Sequence, residues 1–248
     1  MKRRTLGIIP ARFASTRFPG KPLALIQGQP MIWWVYHSAK KCSALDKVIV
    51  ATDDERIAQT VEDFGGEALL TSAHHPSGFD RIGEVSDRFS DFTHYVNIQG
   101  DEPLIASDTI TAALNLFENP ACDISTSAVA FQNDADFQNE NMVKVVLAAD
   151  QRALYFSRSP IPFYRNTELK STLAPLKHQG LYCYSARALH KLRALPQADL
   201  EKAESLEQLR FLFHGFGIFV AIAKQDSPGV DTPEDILRVE KLLKKIAI

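Results

Sequence analysis

The stretch from Lys47 to Phe64, "KVIVATDDERIAQTVEDF", decides the fold. "KVIVA" is a short apolar run of the kind that forms a buried strand, and "DERIAQTVEDF" follows at once with a helical, amphipathic pattern. The same alternation surrounds it: "TLGII" and "MIWWVYHSAKK" precede it, and "EALL", "GFDRIGEVSDRF" and "HYVNI" follow. Buried strands interleaved with helices call for right-handed β-α-β crossovers and a mostly parallel sheet covered on both faces. In such sheets ligands sit beyond the carboxyl ends of the strands. The chemistry is therefore expected just after Ile9, Ala51 and Ile98.

From about Cys122 the texture changes. "DISTSAVAF", "VKVVLAADQRALYFS" and "KHQGLYCYS" read as strands joined by turns, with a hairpin whose arms are 143–147 and 153–156. The expected organisation is an α/β core of residues 1–120 plus 205–248 with a smaller antiparallel lobe of residues 121–204. Residues 165–175 read as a polar loop. Helical patterns return at "SARALHKLRAL" and "ESLEQLRFLFHG", a strand follows at "GIFVAIA", and a last helix starts near Pro233 with Thr232 as N-cap.

Twenty-eight basic and thirty acidic side chains leave a formal net charge of -2, which removes the electrostatic footprint of a nucleic-acid binder or a polybasic membrane anchor. The apolar stretch after the basic start is interrupted by Pro10 and Arg12, so no export signal is read. No run approaches the roughly 18 apolar residues of a membrane span. Cys42, Cys122 and Cys183 are too few and too scattered for a disulfide framework or a zinc site. A cytoplasmic protein is the expectation.

"IIPARFASTRFPGKP", residues 8–22, carries Arg12, Arg17 and Lys21 with Gly20 between the last two. Such a loop can wrap a polyphosphate with cations and backbone amides, or it can be a solvated basic loop. It is not a Walker A motif, because the upstream glycine is missing and Pro22 follows the lysine; nor does the chain hold a G-x-G-x-x-G. "NIQGDEP" places Asp101 just past a strand, where a carboxylate can meet magnesium beside phosphate oxygens, although an Asp-containing turn reads equally simply. Asp231 in "GVDTPED" is a second acid of this kind, or a helix cap. "HHPSGFDR" offers Ser77, Gly78 and Arg81 to a base and to anions, while His74 and His75 lack companions at metal-ligand spacing. Trp33 and Trp34 read as packing residues. In the second lobe Arg158, Lys177 or His178 can bind a carboxylate, and Tyr184, Glu207 and Gln208 can read hydroxyls; Glu207 and Arg210, three apart, can instead pair with each other.

Taken together, "IPARFASTRFPGKPL", "VATDDERI", "SGFDR", "NIQGDEP", "VKVV", "ALYFSR", "HQGLYCY", "LEQLR" and "GVDTPED" occur in the order found in the CMP-Kdo synthetases, the 3-deoxy-manno-octulosonate cytidylyltransferases, which the chain resembles along nearly its whole length. The resemblance implies a homodimer that transfers CMP from CTP to the anomeric hydroxyl of the sugar acid Kdo, releasing pyrophosphate, for lipopolysaccharide synthesis. It implies that Arg12, Arg17 and Lys21 hold the triphosphate, that Ser77, Gly78 and Arg81 help seat the nucleotide, and that Asp101 and Asp231 hold magnesium. Gln99, Arg158, His178, Tyr184, Glu207 and Gln208 would face the sugar. Arg12, Lys21 and Asp101 carry the expected catalytic roles. Two positions depart from the family pattern: Phe79 stands where a small hydroxyl residue is usual, and Gln179 where the pattern has leucine. Both point to a modified sugar, such as the 8-amino analogue of Kdo, as an alternative acceptor. Transfer to another acid sugar and a non-catalytic nucleotide-binding regulator are the other readings.

Overall fold

The computed structural model describes residues 3–14, 18–75 and 77–246. The chain divides into two compact units, Met1–Thr111 with Ser227–Ile248, and Ala112–Asp226. In the first, β1 (Thr5–Ala11) leads to a two-stranded antiparallel ribbon of β2 (Leu25–Ile26) and β3 (Gln29–Pro30). Then follow α1 (Met31–Lys40), β4 (Lys47–Thr52), α2 (Glu55–Asp63), β5 (Ala68–Leu70), α3 (Gly78–Arg88), β6 (His94–Asn97) and α4 (Ser107–Asn115).

The order β6-β1-β4-β5 is parallel throughout, with Ile8 opposite Ile49 and Leu6 opposite Tyr95. Leu6, Ile8 and Ile9 have no exposed surface, which is why β1 reads as an unbroken apolar run rather than an alternating one. Parallel pairing puts the carboxyl ends of β1, β4 and β6 on one edge. The helix of the opening stretch forms as its pattern requires. Asp54 caps it by accepting the Arg56 amide at 2.9 Å, and Ile57, Ala58 and Val61 turn inward.

In the second unit β7 (Ile124–Ala130) is followed by α5 (Asp134–Gln138), β8 (Lys144–Leu147), β9 (Ala153–Ser157), β10 (Leu176–Ser185), α6 (Ala186–Leu192), α7 (Asp199–Glu204), α8 (Gln208–Phe213) and β11 (Ile218–Ile222). β10 pairs antiparallel with β7 and β8, and β8 with β9 forms the expected hairpin. β11 pairs parallel with β7 through five residues, and so belongs to this unit rather than to the α/β core. The helical pattern from Glu204 to Gly215 is not one helix. Ser205 adopts a left-handed backbone, φ 49°, which ends α7 before α8 begins. Arg210 donates to Glu201 at 2.8 Å.

The chain returns to the first unit as α9 (Pro233–Ile246). Val230 and Val239 pack with Ile26 and Met31, and Trp34 lies against the same cluster while its indole N–H donates to the Ile26 carbonyl at 2.9 Å.

Candidate active site

A cavity of about 200 Å³ opens at the carboxyl edge of the parallel strands, lined by Pro10, Ala11, Arg12, Pro22, His75, Ser77, Gly78, Arg81, Gln99, Gly100 and Asp101. Three loops build it. The first leaves β1 and closes on itself where the Gly20 amide donates to the Phe13 carbonyl at 2.9 Å. Gly20 sits at φ +70°, and a Cβ there would also press on the Phe13 ring at 3.1 Å, so the small residue is a backbone requirement. This turn delivers Lys21. Its ammonium donates to Asp101 Oδ2 at 2.7 Å and to the Val230 carbonyl at 2.9 Å, and lies 3.5 Å from Asp231 Oδ1. Arg12 is exposed and makes no hydrogen bond or ion pair among the described residues. Arg17 lies outside the described residues.

The second loop follows β6. Gly100 has no room for a side chain, because a Cβ would stand 2.7 Å from the Pro10 carbonyl oxygen. That close approach holds Gln99 and Asp101 against the end of β1. The third loop enters α3, whose N-cap Ser77 accepts the Asp80 amide at 3.3 Å and donates to the Asp80 carboxylate at 2.8 Å. Ser77 and Gly78 thus bring the amide end of an eleven-residue helix to the cavity wall, where anions are favoured.

Arg81, one turn along α3, is buried except for its edge on the cavity. Its guanidinium donates to Asp53 at 3.0 Å, past the end of β4, and to the Thr71 hydroxyl. Asp53 and Thr71 were not singled out from sequence; "ATDD" contains two adjacent carboxylates, and only the fold shows that Asp54 caps a helix while Asp53 holds an arginine. His75, which sequence offers only as an unaccompanied metal-ligand type, is one of the residues that line the cavity.

Asp101 and Asp231 suit a hard divalent cation. Both carboxylates are partly exposed and converge on a single cationic group, Lys21. The helix-cap function near α9 is carried by the Asp235 carboxylate, which accepts the Asp231 and Thr232 amides at 2.9 Å each. Among the described residues no cluster of three or more His, Cys, Asp or Glu side chains could ligate a metal unaided. A carboxylate pair completed by phosphate oxygens and water is what magnesium ordinarily accepts.

The other residues expected at the sugar lie in the second unit. β10 carries His178, Tyr182 and Tyr184 in a chain of ring contacts, 5.3 Å and 5.9 Å between centroids, with Phe156 against His178 at 5.0 Å. His178 Nε2 meets the Thr126 hydroxyl at 2.9 Å, and burial pushes the imidazole down to about 3. Burial also raises the Tyr184 phenol well above its usual range, and the nearby charge of Glu207 adds to this. Arg158 is engaged with backbone: its guanidinium donates to the carbonyls of Glu204 at 2.6 Å, Glu140 at 3.1 Å and Ser205 at 3.3 Å. In this state it braces the turn that precedes Glu207 and the buried Gln208. Lys144, fully buried and not singled out from sequence, donates to the carbonyls of Asn139 and Arg158 at 2.7 and 2.8 Å.

Both positions that depart from the family pattern are buried. Phe79 is 1% exposed and faces the core on the side of α3 that also buries Ile82 and Val85. Gln179, whose neighbour His178 points to the other side of β10, donates its amide to the Gln225 carbonyl at 3.1 Å.

A parallel α/β unit that lines a strand-end cavity with two arginines and Asp101, and links Asp101 through Lys21 to Asp231, defines a nucleotidyltransferase-type site. A family model described as "Cytidylyltransferase" matches residues 6–224. A 3-deoxy-manno-octulosonate cytidylyltransferase of Syntrophobacter fumaroxidans is 49% identical, covering 99% of each chain. Its counterpart in Thermodesulfovibrio yellowstonii is 47% identical over 96% of this chain and 98% of that one. The solved structure of CMP:2-keto-3-deoxy-manno-octonic acid synthetase complexed with CTP superposes with a TM-score of 0.92 at 41% identity, covering 98% of this chain and 99% of that one. The chain belongs to the cytidylyltransferases, and within them to the 3-deoxy-manno-octulosonate cytidylyltransferase family.

Proposed function

We propose that this protein transfers CMP from CTP to the anomeric C2 hydroxyl of Kdo and releases pyrophosphate, supplying the activated sugar for lipopolysaccharide synthesis. The observation that carries the reading is the convergence of Lys21, Asp101 and Asp231 at the strand-end cavity of a chain related over its full length to enzymes of that name. The sugar oxygen attacks the α-phosphorus in line with departing pyrophosphate, so the residues act by positioning and by neutralising charge. Arg12 and Lys21 take the triphosphate oxygens. Arg81, locked by Asp53 and Thr71, and the amide end of α3 hold the nucleotide in register. Asp101 and Asp231 would hold magnesium, which when bound supplies positive charge to the phosphate oxygens.

His178, Tyr184, Glu207 and Gln208, on the ordered β10 and the turn braced by Arg158, are proposed to read the sugar together with Gln99. A homodimer fits Leu154, Phe163, Leu169 and Leu173, which leave 51% or more of their surface exposed in the second unit. No helix of the described residues is long and apolar enough to cross a membrane, and a cytoplasmic setting is proposed with the reaction.

The test is magnesium-dependent pyrophosphate release from CTP with Kdo and, in parallel, with its 8-amino analogue. Kdo is expected to be the better acceptor, since it is the sugar that the names of the relatives carry. Lys21→Ala and Asp101→Ala should each lose about 100-fold or more in kcat while retaining the native circular dichroism spectrum. A near-normal rate for either variant removes that residue from the mechanism. CTP binding without pyrophosphate release for any acid sugar supports the regulator reading instead.

A further inference from the structure

The cavity wall contains one imidazole that the proposed transfer does not use. His75 Nε2 lies 2.6 Å from Glu84 Oε2, and the two side chains are 19% and 20% exposed. Glu84 also accepts the Ser72 amide at 2.9 Å and pairs with Arg88. Burial alone would raise the Glu84 carboxyl, but His75, the Ser72 amide and Arg88 together hold it below the usual carboxylate range. An ionised carboxylate only accepts hydrogen bonds, so the shared proton is on Nε2 of the ring. With that proton on Nε2, Nδ1 is the nitrogen left to accept a hydrogen bond whenever the ring carries no second proton, its orientation being set by the carboxylate behind it. Among the described residues Nδ1 has no partner. Glu84 is not among the residues that line the cavity, whereas His75 is, together with Ser77, Gly78, Arg81, Gln99 and Gly100.

The rest of this end of the cavity is rich in donors: the Arg81 guanidinium, the Arg12 guanidinium and the amides that open α3. Donors suit phosphate and the O2 carbonyl that cytosine and uracil share, so at these two groups they do not tell the bases apart; the bases differ at N3 and at the exocyclic group on C4. That group is an amino donor on cytosine; on uracil a carbonyl acceptor takes its place. An acceptor nitrogen fixed in the wall favours the first and repels the second. We propose that His75, oriented by Glu84, accepts the exocyclic amino group of cytosine and so makes the pocket select CTP over UTP. The inference rests on the reading of the cavity as the CTP site. His75 is here a specificity residue, and Glu84 a positioning residue that acts through it.

The experiment compares wild type, His75→Phe and His75→Gln. Turnover with Kdo gives kcat and KM for CTP and for UTP, and calorimetry gives the affinity of each nucleotide without acceptor. His75→Phe keeps ring volume but no acceptor, and the CTP/UTP preference should fall about tenfold or more through KM, with kcat for CTP largely kept. His75→Gln can donate to Glu84 and still offer a carbonyl acceptor, so it should recover part of the preference. Glu84→Gln, which can accept or donate toward the ring and so releases the tautomer, should lower the preference without touching the wall. An unchanged CTP/UTP ratio in folded His75→Phe, by turnover and by affinity, overturns the proposal. Absence of any turnover in wild type with CTP and Kdo would instead sink the functional reading, and the calorimetric ratio would still decide the role of His75.

Discussion

Replacing Gly100 by alanine should damage the site more than the fold. The added Cβ would stand 2.7 Å from the Pro10 carbonyl oxygen, closer than such contacts occur, and 3.7 Å from the Ile9 side chain. Pro10 cannot yield readily, since its backbone lies within β1, opposite Ala51 in the ladder with β4. The turn after β6 must therefore move outward by several tenths of an ångström. Overpacking of this kind costs about 1–3 kcal/mol, which a urea titration followed by circular dichroism would register as a lower midpoint at unchanged slope. The same displacement carries Gln99 and Asp101 away from the end of β1, and misplacement of reacting groups on this scale can cost up to about 100-fold. Pyrophosphate release should show kcat reduced by one to two orders of magnitude at saturating CTP. Wild-type stability combined with wild-type kcat in Gly100→Ala would refute the argument that this glycine is required by close approach.

Two further outcomes follow from buried charge. His178 is pushed by burial down to about 3, against roughly 6.5 in an unfolded chain, so between these values the unfolded state binds the extra proton and stability falls as pH falls. The slope from this one group reaches up to about 1.4 kcal/mol per pH unit; urea midpoints of wild type and His178→Gln at pH 7, 6 and 5 should diverge, and parallel lines would exclude a buried neutral imidazole. Asp53→Ala leaves the buried Arg81 without its carboxylate partner and should cost about 3 kcal/mol or more, with part of the loss recovered at saturating CTP because the ligand brings negative charge to the same guanidinium. A loss below about 1 kcal/mol would show that Thr71 alone suffices.

What could be read from sequence was whatever depends on local pattern. The strands of the first unit are continuous apolar runs because both faces are covered, so their ends, and with them Arg12, Lys21, Gln99 and Asp101, could be placed before any coordinates. Ser77 and Gly78 were legible for the same reason, as the entry to a helix after a strand. Phe79 was not, since its direction depends on the register that the Ser77 cap imposes on α3. The break at Ser205 carried no signal, because a left-handed serine has no glycine to announce it. Asp53 and His75 were hidden for a different reason: their partners, Arg81 and Glu84, are 28 and nine residues away, and only the fold brings them together.

The Lys21 contacts give the cavity a property of their own. Lys21, 17% exposed, already meets two carboxylates and a carbonyl, and the more deeply buried Arg81 is paired with Asp53. An arriving anion must compete for these two cations, while Arg12 stands exposed on the same wall without an ion pair among the described residues. A single phosphate offers too few oxygens to repay the contacts it displaces, whereas a triphosphate can engage Arg12, Lys21 and the amide end of α3 at once. Such a pocket is expected to favour ligands that present several charges together over small anions that present one.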